Sequence, residues 1–187
     1  MRRISQLEIW CSESLKEVGL DYTNLSFDAL KGTFCSKALG KKPMLMPSRL
    51  WKQIQLMPKN KSKNFTFSGQ LYENRKWVLN YPNVNSTNIG RNLQLRYNGF
   101  DSNYYLSMCQ SKFTLCPVGL EPWSHRFLEA IACYSIPVIG PRDIDILAGN
   151  WFKYYRHPNV KEYNIEWAEH NYNVFLKKHT LYYQYFV

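Results

Sequence analysis

The run "SHRFLEAIACYSIPVIG" (124–140) gathers Ser124, His125, Arg126 and Glu129 at one end of an otherwise apolar stretch. On a helix that starts near Ser124, Phe127, Leu128 and Ile131 share one side, while His125, Arg126 and Glu129 share the other. Ser124 is then a candidate N-cap, and the unpaired N–H groups and positive dipole end behind it suit a diphosphate. Arg126 can make bidentate charge-assisted contacts to phosphate oxygens, each worth roughly 1.5 to 3 kcal/mol when shielded from water. Glu129, one turn deeper, suits the two hydroxyls of a ribose. Gly119, in the preceding loop, lets the backbone approach a ligand closely. A plainer reading has the same spacing: Arg126 and Glu129 form an i, i+3 surface ion pair worth about 0.2 to 0.5 kcal/mol, and Ser124 is an ordinary cap. His125, as a lone histidine, reads more simply as a surface residue than as an acid or base. Spacing alone leaves the two readings open.

The elements around this cluster are those of a nucleotide-binding sheet. Apolar runs rich in strand formers recur at "FTFSG" (65–69), "LQLRY" (93–97), "KFTLC" (112–116) and "IPVIG" (136–140). Between them "ENRKWVLNY", "SNYYLSMCQ" and "SHRFLEAIACY" have the makings of helices. This alternation predicts right-handed βαβ crossovers and a parallel sheet, α/β and Rossmann-like, with ligands collecting at the carboxyl ends of the strands. The polar basic stretch "PKNKSKN" (58–64) reads as a solvated linker and places a boundary near residue 60. Residues 1–60, where Pro43 and Pro47 interrupt mixed signals, form a small partial N-terminal subdomain in this division, and residues 61–187 the main domain. The tail "NIEWAEHNYNVFLKKHTLYYQYF" predicts one or two amphipathic helices whose aromatic stripe packs rather than stacks on bases.

With 187 residues the chain can bury one good core, and two full nucleotide-fold halves would not fit. The formal charge of +10 attracts anions without choosing among nucleotide phosphates, nucleic acid, acidic glycans and anionic lipid. Nucleic acid is the weaker choice, since no RNP, zinc or helix-turn-helix signature accompanies the charge. The five cysteines are odd in number and widely spaced, which predicts reduced core thiols rather than a disulfide framework or a metal pair. No run approaches the roughly 18 apolar residues of a membrane-spanning helix, and the N-terminus has no signal-like apolar stretch. The expected compartment is therefore the cytosol, where the sequons at Asn24, Asn60, Asn64 and Asn85 carry little weight.

The wider segment "SKFTLCPVGLEPWSHRFLEAIACYSIPVIG" (111–140) resembles the signature of the exostosin-like glycosyltransferases, glycosyltransferase family 47. Members of that family carry an SKFCLCP-x-G segment, then S-x-R, two hydrophobic residues, Glu-Ala and a Pro-Val strand. A looser similarity extends back to "FSGQLYENRKWVL" (67–79), where the family also has a strand-end glycine, here Gly69, followed by an arginine. The resemblance implies a GT-B enzyme whose C-terminal half, here residues 61–187, binds the nucleotide sugar, with residues 1–60 on the acceptor side. It implies an inverting, metal-independent transfer to a glycan hydroxyl, with a UDP-sugar as expected donor and no further cofactor. Residue by residue, Arg75 and Arg126 resemble the donor-phosphate arginines, Ser124 a phosphate contact and Glu129 the ribose-binding carboxylate. His125 stands where the family commonly has Pro or Phe. In the family the N-terminal half supplies the catalytic base; in this chain the candidates are Glu121, Asp21 and Asp28. A chain this short without a membrane anchor suits a microbial or viral enzyme. The alternative is a non-catalytic half that binds nucleotide or glycan.

Overall fold

The computed structural model describes residues 13–17, 25–28, 33–36, 46, 48–86, 101–118, 125–141, 143 and 151–180, without the side chains of 25–28, 33–36, 86 and 125. In chain order these residues form β1 (Leu25–Asp28), β2 (Thr33–Ser36), α1 (Ser48–Gln55), β3 (Lys63–Gly69), a 3-10 helix (Glu73–Asn80) and β4 (Val84–Ser86). There follow α2 (Ser102–Cys109), β5 (Ser111–Leu115), α3 (His125–Ala132), β6 (Ile136–Ile139), β7 (Tyr155–Arg156) and α4 (Ile165–His179). β1 and β2 pair antiparallel with Leu25 opposite Ser36. The other strands form one five-stranded sheet, order β4-β3-β5-β6-β7, parallel throughout. This is the Rossmann-like α/β architecture expected from the alternation of apolar runs.

β3, β5 and β6 fall on three of the four expected strands; the fourth, 93–97, lies outside the described residues. β4 and β7 were not legible because both are short edge strands with one neighbour each, and "VNS" and "YR" carry no apolar run. In the interior, Phe67, Phe113, Leu115, Ile136 and Val138 join Val78 of the 3-10 helix in one buried cluster. Fully burying a side chain of this size contributes about 1.5 to 3 kcal/mol. The opposite residues of β3 and β5 are threonines. Thr66 pairs its hydroxyl with Ser107 of α2 at 2.6 Å, and Thr114 pairs with Ser135 at 2.7 Å. On that face a second cluster joins Leu50 and Ile54 of α1, Met108 of α2, Phe127 and Ile131 of α3, and Phe175 of α4.

Local chemistry sets the helix ends. Asp101 accepts from the Tyr104 N–H to cap α2, and Asn164 accepts from the Trp167 N–H to cap α4. α3 closes with Ser135 N–H bonded to Ala130 O at 2.9 Å while Tyr134 takes φ 56°, the left-handed position usually given to glycine. Its ring is held against Tyr172 at 4.5 Å between centroids. The tail forms one described helix, and its aromatics pack as expected: Tyr172 and Phe175 enter the core and Trp167 stacks on Tyr155. Cys109, Cys116 and Cys133 are free and buried.

Two expectations are corrected. α3 is not amphipathic in place: Arg126 through Cys133 are all buried, because α1, α2 and α4 surround the helix on the side away from β5 and β6. The stretch 58–64 is largely exposed, but its Lys59 and Lys61 are not simply solvated. Lys59 donates from Nζ to Ile54 O, Gln55 O and Met57 O at the end of α1. Lys61 donates to Cys133 O at 2.7 Å and Cys109 O at 2.9 Å, satisfying carbonyls at the ends of α3 and α2 together.

Burial lowers the Lys61 ammonium from its ordinary 10.5 to about 8. Lys61→Met, which leaves those carbonyls without a donor, is expected to cost roughly 1 to 3 kcal/mol in urea unfolding at pH 7. Between pH 8 and 10.5 the unfolded chain holds a proton on Lys61 that the folded chain has released. Folding is therefore favoured as pH rises through that window, and the stability gap between wild type and Lys61→Met should widen there. A gap that narrows or stays constant contradicts this account.

Candidate functional site

The carboxyl ends of β3, β5 and β6 lie on one side of the parallel sheet, and Arg126 and Arg75 both reach the end of β3. Arg126 comes from the first turn of α3 and is only 7% exposed. Its Nη2 donates to Ser68 O at 2.7 Å, and its guanidinium lies 4.6 Å from the Phe67 ring centroid. Its Nε is buried without a hydrogen-bond partner among the described residues. Gly69 makes the seat possible, since a Cβ there would stand 2.8 Å from Nη2. Arg75, from the 3-10 helix, reaches the same strand end. It donates from Nε to Val118 O at 2.8 Å and from Nη1 to Gln70 O at 3.2 Å. The two arginines thus hold carbonyls on either side of Gly69.

Glu129 sits one turn below Arg126 and is 6% exposed. Its carboxylate accepts from the Tyr104 hydroxyl at 2.9 Å and the Tyr105 hydroxyl at 3.0 Å, both on α2. Burial of both members rules out the surface ion pair that spacing alone had left open. Cys116, at the end of β5, is a buried thiol pushed up to about 12 by desolvation against the opposing charge of Arg126, so it remains protonated.

Of the residues singled out by sequence, the structure brings together Gly69, Arg75, Arg126 and Glu129. Gly119, Glu121 and Ser124 lie outside the described residues, as does Asp21; His125 opens α3 and Asp28 ends β1, their side chains outside the description. Sequence reasoning passed over Asp143, Arg156 and the two tyrosines. The Asp143 carboxylate accepts from Gly140 N–H at 2.7 Å, and Arg156 donates from Nη1 to Gly140 O and Asp143 O at 2.9 and 2.8 Å. The available signal was "GPRD", a glycine and an acid just past a buried strand. The tyrosines left none, since they stand 25 and 24 residues before Glu129. Among the described residues no cluster of three or more His, Cys, Asp or Glu is placed to hold a metal ion, and no helix is long and apolar enough to cross a membrane.

A buried guanidinium is rare unless paired, and Arg126 makes no ion pair with a carboxylate among the described residues. With Arg75 at the same strand end, it offers N–H donors of the kind that pair with an anion of several acceptor oxygens. A phosphate or diphosphate has that form.

The Exostosin GT47 domain matches residues 33–154, well over half of the chain. The chain is also similar to a probable glucuronosyltransferase of Oryza sativa subsp. japonica, 49% identical over 43 residues, which are 23% of this chain and 10% of that protein. A second probable glucuronosyltransferase of the same organism is 51% identical over 41 residues, 22% of this chain and 10% of its own length. A probable beta-1,4-xylosyltransferase of Arabidopsis thaliana is 46% identical over 43 residues, again 23% of this chain and 10% of that protein. The matched stretch spans about a tenth of the length of these relatives.

Gly69→Ala tests the seat. The clash falls on the far end of a flexible side chain, so stability should change by less than about 1 kcal/mol while the guanidinium leaves Ser68 O. Pyrophosphate binding, read by titration calorimetry, should weaken about tenfold or more. Unchanged pyrophosphate affinity would separate Arg126 from anion binding.

Proposed function

Because the chain belongs to the exostosin GT47 family, we propose that it transfers a sugar from a nucleotide-sugar donor, a UDP-sugar, to a glycan hydroxyl. The described parallel sheet binds the donor in this reading. The observation that carries it is the buried Arg126, whose Nε has no hydrogen-bond partner among the described residues, set beside Arg75 at the carboxyl ends of the strands. The names of the similar proteins put glucuronosyl and xylosyl donors first in any panel.

The chemistry follows from where charge develops. As the glycosidic bond to the diphosphate breaks, negative charge grows on the leaving phosphate oxygens. Arg75 and Arg126 stand ready to receive it, and because both are already tied to backbone carbonyls they need little reorganisation. Arginine clamps and metal ions serve the same purpose at such a centre, so this reading needs no metal. The N-terminal end of α3 adds its dipole on the same side, with Ser124 and His125 as first contacts and Gly119 in the approaching loop. Glu129 takes the ribose hydroxyls.

An inverting transfer also needs a base to accept the proton of the attacking glycan hydroxyl. Glu121, Asp21 and Asp28 are the candidates, and residues 1–60 are where the acceptor side is proposed. α1, within that stretch, packs in the same core as α3, so the acceptor side in this proposal lies ahead of it.

Release of UDP from a panel of UDP-sugars tests the enzyme claim; UDP binding without release from any of them would favour the non-catalytic half. Arg126→Ala should weaken UDP by about tenfold or more and uridine by less than twofold or so, the difference being the phosphate contacts. Glu129→Gln should weaken both ligands alike. Wild-type affinity for UDP in both folded variants would return the cluster to a purely structural role.

A further inference from the structure

We propose that Asp143 is a positioning residue for the anion grip: it holds Val118 by its backbone N–H, and through that residue's own carbonyl it aims Arg75. The inference rests on the donor-binding reading above. Its basis is a relay across the ends of three elements. The Asp143 carboxylate accepts from Gly140 N–H at 2.7 Å, which ties it to the end of β6. It also accepts from the backbone N–H of Val118, in the segment that follows β5. The carbonyl of that same residue receives Arg75 Nε at 2.8 Å. Val118 is therefore held by an acid at its N–H and by an arginine at its carbonyl.

The arrangement leaves Arg75 little freedom. Nε is committed to Val118 O and Nη1 to Gln70 O, so the plane of the guanidinium is set by two backbone carbonyls. Gln70 O follows directly on β3, whereas Val118 has no strand partner and depends on its side-chain contacts. Without Asp143 nothing described would hold the Val118 N–H.

Asp143 is itself fixed. Arg156 donates to its carbonyl and to that of Gly140, locking the turn between them at 2.8 and 2.9 Å. The bare face of Gly140 completes the seat. A Cβ there would stand 2.8 Å from both carboxylate oxygens and from Trp77 Nε1, so no other residue leaves room for the acid. Burial pushes the Asp143 carboxyl up, opposed by the Gly140 and Val118 N–H groups and by the charges of Arg156 and Arg75. An acid retained against that burial is better explained by what it orients than by a gain in stability.

The test is a double-mutant cycle on the whole chain, with UDP and uridine titrated into Arg75→Ala, Asp143→Asn, Asp143→Ala and Arg75→Ala/Asp143→Asn. Asp143→Ala should weaken UDP about fivefold or more and leave uridine within about twofold, because only the phosphate contacts depend on Arg75. Asp143→Asn, whose single amide oxygen can accept one of the two N–H groups, should fall between Ala and wild type. In the Arg75→Ala background Asp143→Asn should have no further effect. If Asp143→Asn weakens UDP equally with and without Arg75, or weakens uridine as much as UDP, the relay is wrong and the donor-binding reading stands. If Arg75→Ala alone leaves UDP affinity unchanged, Arg75 is no part of the grip and both the relay and that part of the reading fall. Asp143→Asn keeps the shape of the side chain, so the cycle remains readable should Asp143→Ala fail to fold.

Discussion

The burial of one guanidinium organises this sheet edge. Removing an arginine from water costs several kcal/mol unless its donors find partners, and the fold meets Arg126 with a carbonyl at 2.7 Å and an aromatic face at 4.6 Å. Both come from β3, Ser68 and Phe67, and the absent side chain of Gly69 opens the space between them. Its buried Nε has no hydrogen-bond partner among the described residues. A strand end, a ring, a glycine and a helix start must therefore coincide in space, and the parallel order β3-β5-β6 with its crossover helices brings them together.

The neighbouring carboxylate is handled by different means. Glu129 is as deeply placed as Arg126, and its carboxylate accepts from two neutral hydroxyls of α2. A carboxylate held by two hydroxyls of one helix keeps its orientation. The cost is that α2 and α3 must keep their relative placement. Lys61 helps by satisfying the final carbonyls of both helices with one ammonium, linking the grip to the far end of the same pair.

Much of this was legible in the sequence, and the failures have physical reasons. Strands β3, β5 and β6 announced themselves by Phe-Thr-Phe, Phe-Thr-Leu and Ile-Pro-Val-Ile, runs rich in apolar strand formers. β4 and β7, on the edges, carry no such signal. The polar residues of α3 read as a solvent face because helical spacing reports which residues share a side and says nothing of what covers that side. Here it is covered by α1, α2 and α4, from distant parts of the chain. The lysines of 58–64 misled in the same way, since composition cannot show that three helices end beside them. Arg126 and Glu129 could be picked out from their spacing, but Asp143 and the tyrosines act through contacts that close only in three dimensions. Family resemblance assigned roles to the arginines; it did not show how the backbone holds them.

The central claim is that the diphosphate of a nucleotide sits between Arg75 and Arg126 at the end of β3. A crystal structure of the chain with UDP tests it most directly. The account predicts phosphate oxygens within hydrogen-bonding distance of both guanidiniums, including the unpartnered Arg126 Nε, with the ribose hydroxyls on Glu129. UDP bound elsewhere, with Arg126 still donating only to Ser68, would contradict it.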